Sequence, residues 1–370
     1  MQHTLQTGLA AGMSAVSGIH TGNQTKPNPV SSSFDGLAAV MPEDWIPTSD
    51  TRVTYKGKNG DVQASTLCIG AWPWGDTATF HWKPEEEPAV HAAWKHCVSK
   101  GVNFIDTAQV YGTGESEAIC GRVLANMPRN DFVIQTKFYV VPQLTDLLHP
   151  TEAPLLKLKD SLKNLNLDYV DIYLVHGPIH IQSIERIAKG MAECVDQGLA
   201  KCIGVANYSA EDMIKMQEEL AKYGVPLAIN QCEFSVLRRQ PEISGLLKAC
   251  KERGIVFQSY SSLAQGRLTG KYTKKNPPPV THRFSSYDMA DVEPVLETLR
   301  RIADKRGVSL TAVGLNYNLC KGITPVVGTR KEQQAIDNCQ ALGWRLSNEE
   351  IKEIDAVSFE GHTTSLWQQG

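Results

Sequence analysis

From residue 67 onward the chain alternates short, almost continuously apolar runs with stretches of helical periodicity. Eight runs stand out: TLCIGAW (66–72), VNFIDTA (102–108), FVIQTKF (132–138), YVDIYLV (169–175), KCIGVAN (201–207), LAINQCE (227–233), IVFQSYS (255–261) and GITPVVG (322–328). Each leads through a polar loop into a segment with helical spacing of its apolar residues, as in PEISGLLKACKERG (241–254). Strands apolar on both faces belong to a parallel sheet covered by helices, and eight is the number that closes a barrel. The pattern therefore predicts an α/β fold, a (β/α)8 TIM barrel. An open doubly wound sheet is the alternative, but the G-x-G-x-x-G it needs after its first strand is missing. Gly112-Thr113-Gly114 is followed by Glu115-Ser116-Glu117, whose two carboxylates would repel a phosphate, so this stretch reads as a turn entering a helix.

Two stretches depart from the alternation. The first 40 residues are nearly uncharged, rich in Ser, Thr, Gly and Ala, and lack any periodicity that would bury a face. We expect residues 1–45 to be a disordered or loosely attached extension and residues 46–370 to be a single barrel domain. A transit peptide is the competing reading of residues 1–40: the absence of acids before Asp35 favours it, whereas the lack of Arg and the single Lys26 count against it. The second departure is the connection after the seventh strand, Gly266 to Asp291, which contains Pro277-Pro278-Pro279. A loop of this length in a compact barrel is usually functional, and its position suggests a lid.

Composition narrows the class further. A formal charge of −3 with no extended Lys/Arg block argues against nucleic-acid or anionic-membrane partners. No window is apolar for long enough to span a bilayer. Nine cysteines, with no C-x-x-C pair, read as reduced, buried thiols in a cytoplasmic setting. His and Cys never cluster at ligand spacing, so no metal site is expected. No motif speaks to the oligomeric state.

The chemistry sits where polar residues end three of the apolar runs: Asp106 with nearby Tyr111, then Lys137, then His176. In a barrel of this type catalytic groups lie at the C-terminal ends of the strands. Singly, each has an ordinary explanation: an ion pair, a turn tyrosine, a satisfied histidine. Together, in register with the β/α units, they form a proton-delivery set. A free phenol with a pKa near 10 is a poor acid at neutral pH, but an adjacent Lys137 ammonium would lower that pKa, and Asp106 would hold the ammonium charged. His176 can hydrogen-bond a carbonyl oxygen and stabilise the charge that develops there. Separately, Gly328-Thr329-Arg330 follows the last strand and opens a helical stretch, so backbone N–H groups and a guanidinium meet at a phosphate-competent helix start.

Asp106, Tyr111, Lys137 and His176, in this chain order, resemble the tetrad of the aldo-keto reductase superfamily with no departure, and the resemblance covers roughly residues 50–360. GAWPWGD (70–76) and SLAQGRLTGKY (262–272) are similar to the branch with pyridoxal-reductase-like enzymes and potassium-channel β subunits. The resemblance implies NADPH/NADP+ as cofactor. It places Arg330 on the 2′-phosphate, with Gly328 and Thr329 beside it and Gln334 and Asn338 facing the adenosine. Tyr260 stacks on the nicotinamide, Asn207 and Gln231 hold the carboxamide, and Ser261, Leu263, Gln265 and Arg267 wrap the pyrophosphate. Ala206 stands where the family commonly has Ser, a loss of about 1 kcal/mol if that hydrogen bond is missing.

Rim aromatics would shape the substrate pocket, with Trp72, Trp74 and Tyr139 as the expected lining and Phe138, His180, Phe234 and Trp367 as further wall residues. The resulting expectation is an NADPH-dependent reductase of a small-molecule aldehyde or ketone, Tyr111 being the general acid, with pyridoxal or a secondary metabolite as substrate. Two alternatives are a cofactor-binding, redox-sensing regulatory subunit and a Schiff-base lyase using Lys137.

Overall fold

The computed structural model describes residues 26–31, 34, 36, 40–139, 147–362 and 367–370. Part of the N-terminal extension, residues 1–25, lies outside them. Among the described residues there are ten strands: β1 (Arg52–Tyr55), β2 (Val62–Ser65), β3 (Cys68–Gly70), β4 (Phe104–Asp106), β5 (Val133–Phe138), β6 (Val170–Val175), β7 (Ala200–Ala206), β8 (Leu227–Glu233), β9 (Val256–Tyr260) and β10 (Thr324–Gly328). Strands β3 to β10 close a parallel barrel in sequence order, β10 pairing with β3. These are the eight apolar runs, and every residue of β5, β6 and β8 is buried, as strands covered on both faces require.

Helices follow the strands: α1 (Glu87–Ser99), α2 (Glu115–Leu124), α3 (Ala153–Leu165), α4 (Ile184–Asp196), α5 (Ala210–Ala221), α6 (Gln240–Ile243), α7 (Leu246–Glu252), α8 (Met289–Arg306), α9 (Leu310–Cys320), α10 (Glu332–Cys339) and α11 (Asn348–Val357). Serines 183, 209, 309 and 347 cap α4, α5, α9 and α11 by accepting a backbone N–H of the first turn, which satisfies donors the helix leaves open. The helix after Gly112-Thr113-Gly114 begins at Glu115, with Gly114 in the left-handed region at its cap. Its Glu117 is fully buried and accepts from Thr136 Oγ1 at 2.6 Å and Asn164 Nδ2 at 3.0 Å.

The hairpin β1–β2 places Tyr55, Val62 and Ala64 in one apolar cluster with Cys68, Phe104 and Val133, the first residues of their strands or close to them. It thereby plugs the N-terminal end of the barrel and leaves the C-terminal end for chemistry. Between plug and mouth lies a polar layer: Gln135 and Gln231 both donate to Gln258 Oε1 at 3.0 Å and to Asp106 Oδ1, at 2.5 and 3.3 Å.

Segments outside the barrel pack against its rear. Lys321 is buried and donates to Glu242 at 2.9 Å, Asp355 at 3.1 Å and the Gly36 carbonyl at 2.5 Å. Met41 N donates to Cys320 O at 2.7 Å. All nine cysteines are free and buried.

Candidate active site

Side chains two apart on a strand share a face. On β5 this puts Gln135 and Lys137 inside the barrel and sends Thr136 outward to Glu117. Lys137 is completely buried; its Nζ donates to Asp106 Oδ2 at 2.7 Å, to Thr107 O at 2.9 Å and to Tyr111 Oη at 3.3 Å. Tyr111 opens a tight turn over Tyr111–Gly114 just past β4 and is half-buried. His176 follows β6, and its ring meets that of Tyr111 edge-on, centroids 5.6 Å apart. The four residues are thus one cluster at the C-terminal mouth.

Burial would lower the Lys137 pKa, but the Asp106 carboxylate and Tyr111 outweigh it and hold the ammonium above its usual value. Tyr111 departs from expectation. Its phenol is raised, because burial exceeds the opposing pull of Lys137. His176 lies well below the ordinary imidazole value through burial, with Lys137 adding to the effect, and is neutral. Its Nδ1 is buried without a partner.

Beside this cluster, Asn207 sits in the left-handed region just past β7, accepts from Tyr260 Oη at 2.8 Å and donates to His176 O at 3.3 Å. Gln231 belongs to the polar layer beneath. The connection after β9 holds Ser261, Ala264, Gln265 and Gly266 at positive φ, a backbone form that turns successive N–H groups outward into an anion-binding concavity.

Arg267, expected on a pyrophosphate, holds its own backbone in this structure. It is buried and donates to the carbonyls of Ala264, His282 and Phe284 at 3.2, 2.8 and 3.2 Å, and desolvation lowers its pKa to about 10. Gln265 Oε1 accepts from Phe284 N at 2.9 Å. Leu263 is buried. Residues 281–287 therefore lie folded over the mouth: Phe284 packs on Tyr260 at 5.3 Å and on Trp72 at 6.0 Å, and Thr281 donates to Thr79 O at 3.0 Å.

At the third part of the site, Thr329 accepts from Asn338 Nδ2 at 2.9 Å, and Gln334 Oε1 accepts the backbone N–H groups of Arg330 and Lys331 at 2.8 and 3.2 Å. The Arg330 guanidinium pairs with Glu86 and donates to Phe80 O at 2.9 Å.

Of the expected substrate residues, Trp72 stacks on Tyr111 at 5.7 Å and lines the mouth, and Tyr139 faces His176 at 6.4 Å. Trp74 does not line it: the indole is fully buried and donates to Thr329 O at 2.8 Å, tying the first barrel loop to the last. The tail closes the remaining side. Trp367 meets the His176 ring at 5.7 Å and lies so near Gly177 that a β-carbon there would fall 2.8 Å from the indole. Gln368 hydrogen-bonds the buried Glu233, which also accepts from Ser285 Oγ at 2.7 Å.

Gln135, Gln258, Glu233, Phe284 and Glu86 touch the candidate residues and were passed over by the sequence reading. Gln135 and Gln258 lie two positions before Lys137 and Tyr260, so strand alternation alone places them on the inward face.

The chain matches the aldo/keto reductase family over residues 66–358. It is 30% identical over 320 residues to a chloroplastic pyridoxal reductase of Arabidopsis thaliana, covering 82% of this chain and 86% of that protein. It is equally 30% identical over 321 residues to a probable voltage-gated potassium channel β subunit of Oryza sativa subsp. japonica, covering 81% of this chain and 94% of that one. Among solved structures, a glycerol dehydrogenase from Gluconobacter oxydans superposes with a TM-score of 0.70 at 25% identity, over 84% of this chain and 95% of the other. An aldo-keto reductase from Klebsiella pneumoniae in complex with NADPH has the same fold, with a TM-score of 0.66 at 20% identity, over 85% and 97% of the two chains.

Proposed function

The chain belongs to the aldo/keto reductase family, oxidoreductases of small-molecule carbonyl compounds, and from that premise we propose that it reduces an aldehyde or ketone to an alcohol with NADPH, using Tyr111 as the acid. The observation that carries this reading is the buried chain Asp106–Lys137–Tyr111 beside a neutral His176 at the barrel mouth.

The residues present fit a dinucleotide. Gln265 Nε2 and Arg283 Nε are buried donors without partners, and buried donors of this kind call for an acceptor. Ser261, Leu263, Gln265 and the positive-φ backbone would hold the pyrophosphate, Gly328, Thr329, Arg330, Gln334 and Asn338 the adenosine end, and Tyr260, Asn207 and Gln231 the nicotinamide. NADPH, when bound, supplies the hydride. Tyr111 Oη holds the proton delivered to the carbonyl oxygen, and Lys137 steadies the phenolate left behind. His176, being neutral, has one imidazole N–H to orient that oxygen. Trp72, Tyr139 and Trp367 form aromatic walls that suit a ring-bearing carbonyl compound such as pyridoxal or a secondary metabolite, and they exclude water. Lys137 is unsuited to Schiff-base chemistry, since Asp106 keeps it protonated. The free, buried thiols support a cytoplasmic location.

The test is multiple-turnover NADPH oxidation against a panel of aliphatic and aromatic aldehydes, including pyridoxal, with Tyr111→Phe as control. Nucleotide binding without turnover on any carbonyl would overturn the enzyme reading in favour of a cofactor-sensing subunit.

A further inference from the structure

Arg330 stands where a guanidinium would meet an adenosine 2′-phosphate, yet it is already occupied. Its Nη2 is paired with Glu86 Oε2, its Nη1 donates to Phe80 O at 2.9 Å, and its guanidinium lies 5.7 Å from the Trp82 ring centroid. Glu86 is itself anchored: Oε1 accepts from Lys83 N at 3.2 Å in a capping box at the turn Pro84–Glu86, immediately before α1. The carboxylate is therefore a fixed part of the pocket's edge and does not leave Arg330 without giving up a cap.

We propose that Glu86 sets the nucleotide preference of this site, withholding Arg330 from a 2′-phosphate and offering its own carboxylate to a ribose hydroxyl, so that the discrimination between NADPH and NADH is narrowed. The inference rests on the reading that the adenosine end binds at Gly328–Arg330. A 2′-phosphate brings nearly two negative charges and strong acceptor oxygens. It competes with Glu86 for the same guanidinium and is repelled by it. The neutral 2′-hydroxyl of NADH suffers no such penalty, and in Rossmann sites a carboxylate beside the adenosine ribose accepts its hydrogen bond. Both partners of the pair are about a quarter exposed or less, at 21% for Arg330 and 25% for Glu86, so solvent moderates the effect without erasing it.

The experiment compares equilibrium binding of 2′,5′-ADP and 5′-ADP, then of NADPH and NADH, to wild type, Glu86→Gln and Arg330→Ala, read by quenching of tryptophan fluorescence. Glu86→Gln is expected to strengthen 2′,5′-ADP binding roughly tenfold relative to 5′-ADP by freeing the guanidinium, and Arg330→Ala to abolish that preference. An unchanged ratio in Glu86→Gln, with both ligands still bound, overturns the role of Glu86 and leaves the reductase reading standing. A wild-type protein that binds neither dinucleotide overturns both.

Discussion

The Lys137 ammonium donates to the Tyr111 hydroxyl across 3.3 Å while the same Nζ is held by Asp106 at 2.7 Å. Burial keeps the phenol above its ordinary pKa even so, and the acid form is the one that reduction uses. Raising that pKa extends the protonated range upward. The turnover number should therefore be flat from about pH 6 to about pH 9 and fall only on the alkaline side. Lys137→Met removes the one strong downward pull, so the fall should move higher still while the plateau rate drops. A pH–kcat profile checks both; a descending limb centred in the neutral range would contradict the assignment.

Tyr111→Phe removes only the hydroxyl at Lys137 Nζ. Carbonyl reduction should slow by about 10²- to 10⁴-fold, the usual contribution of a positioned acid, with NADPH affinity essentially retained. Single-turnover kinetics alongside fluorescence titration separates the two quantities.

Trp367 closes the pocket against His176 and Gly177. Trp367→Ala should raise kcat/KM for bulky aromatic aldehydes relative to small aliphatic ones by roughly tenfold, within the range a reshaped apolar pocket delivers. Gly177→Ala, whose new methyl would strike the indole, should shift selectivity the same way. Competition assays with paired substrates give the ratio directly.

His282, in the segment over the mouth, is lowered to about 4 by burial, with the Arg267 charge adding to this and the Gln265 carbonyl, 3.1 Å away, opposing it; Lys271 and His81 face it as well and act in the lowering direction. A histidine freed from the mouth returns to its ordinary value near 6.5. Between those two values the open form takes up the proton and the closed form does not, so closure weakens as pH falls. The amide protection factors of residues 281–287, taken relative to the intrinsic exchange rate at each pH, should fall from about pH 7 to about pH 5, and His282→Gln should lose that dependence.

Lys321 carries a buried charge shared among Glu242, Asp355 and the Gly36 carbonyl. Lys321→Met leaves Glu242 and Asp355 to share the single buried cation Arg239, one charge short of balance, and should cost about 3–5 kcal/mol of stability. Denaturant unfolding measures it, and a cost below about 1 kcal/mol would show the cluster to be solvated.

The barrel was legible because strands covered on both faces appear as unbroken apolar runs, and the clustering of Asp106, Tyr111, Lys137 and His176 because polar groups stand at or just past the ends of those runs. The hairpin β1–β2 went unread although Asn59-Gly60 marks its turn and its burial alternates. Contacts between distant segments leave no local trace: Trp74 meets Thr329 across 255 positions, Arg330 meets Glu86 across 244, and Gln368 meets Glu233 across 135. Those contacts make Trp74 a tie between loops, pair Arg330 with Glu86, and bring the tail against the candidate site. The backbone contacts of Arg267 could not be read either, because a charge in a loop gives no sign of whether it faces a ligand or its own backbone.

The polar layer beneath the tetrad has one more implication. Gln135, Gln231 and Gln258 are amides, which neither take up nor give off a proton at ordinary pH, and below them the barrel is stoppered by Tyr55, Val62 and Ala64. Asp106, Lys137 and Tyr111 are consequently a blind alley for protons. On the proposed reaction, a proton given away by Tyr111 would have to come back through the same opening by which the substrate entered, so resetting the acid would wait on product departure and the readmission of water.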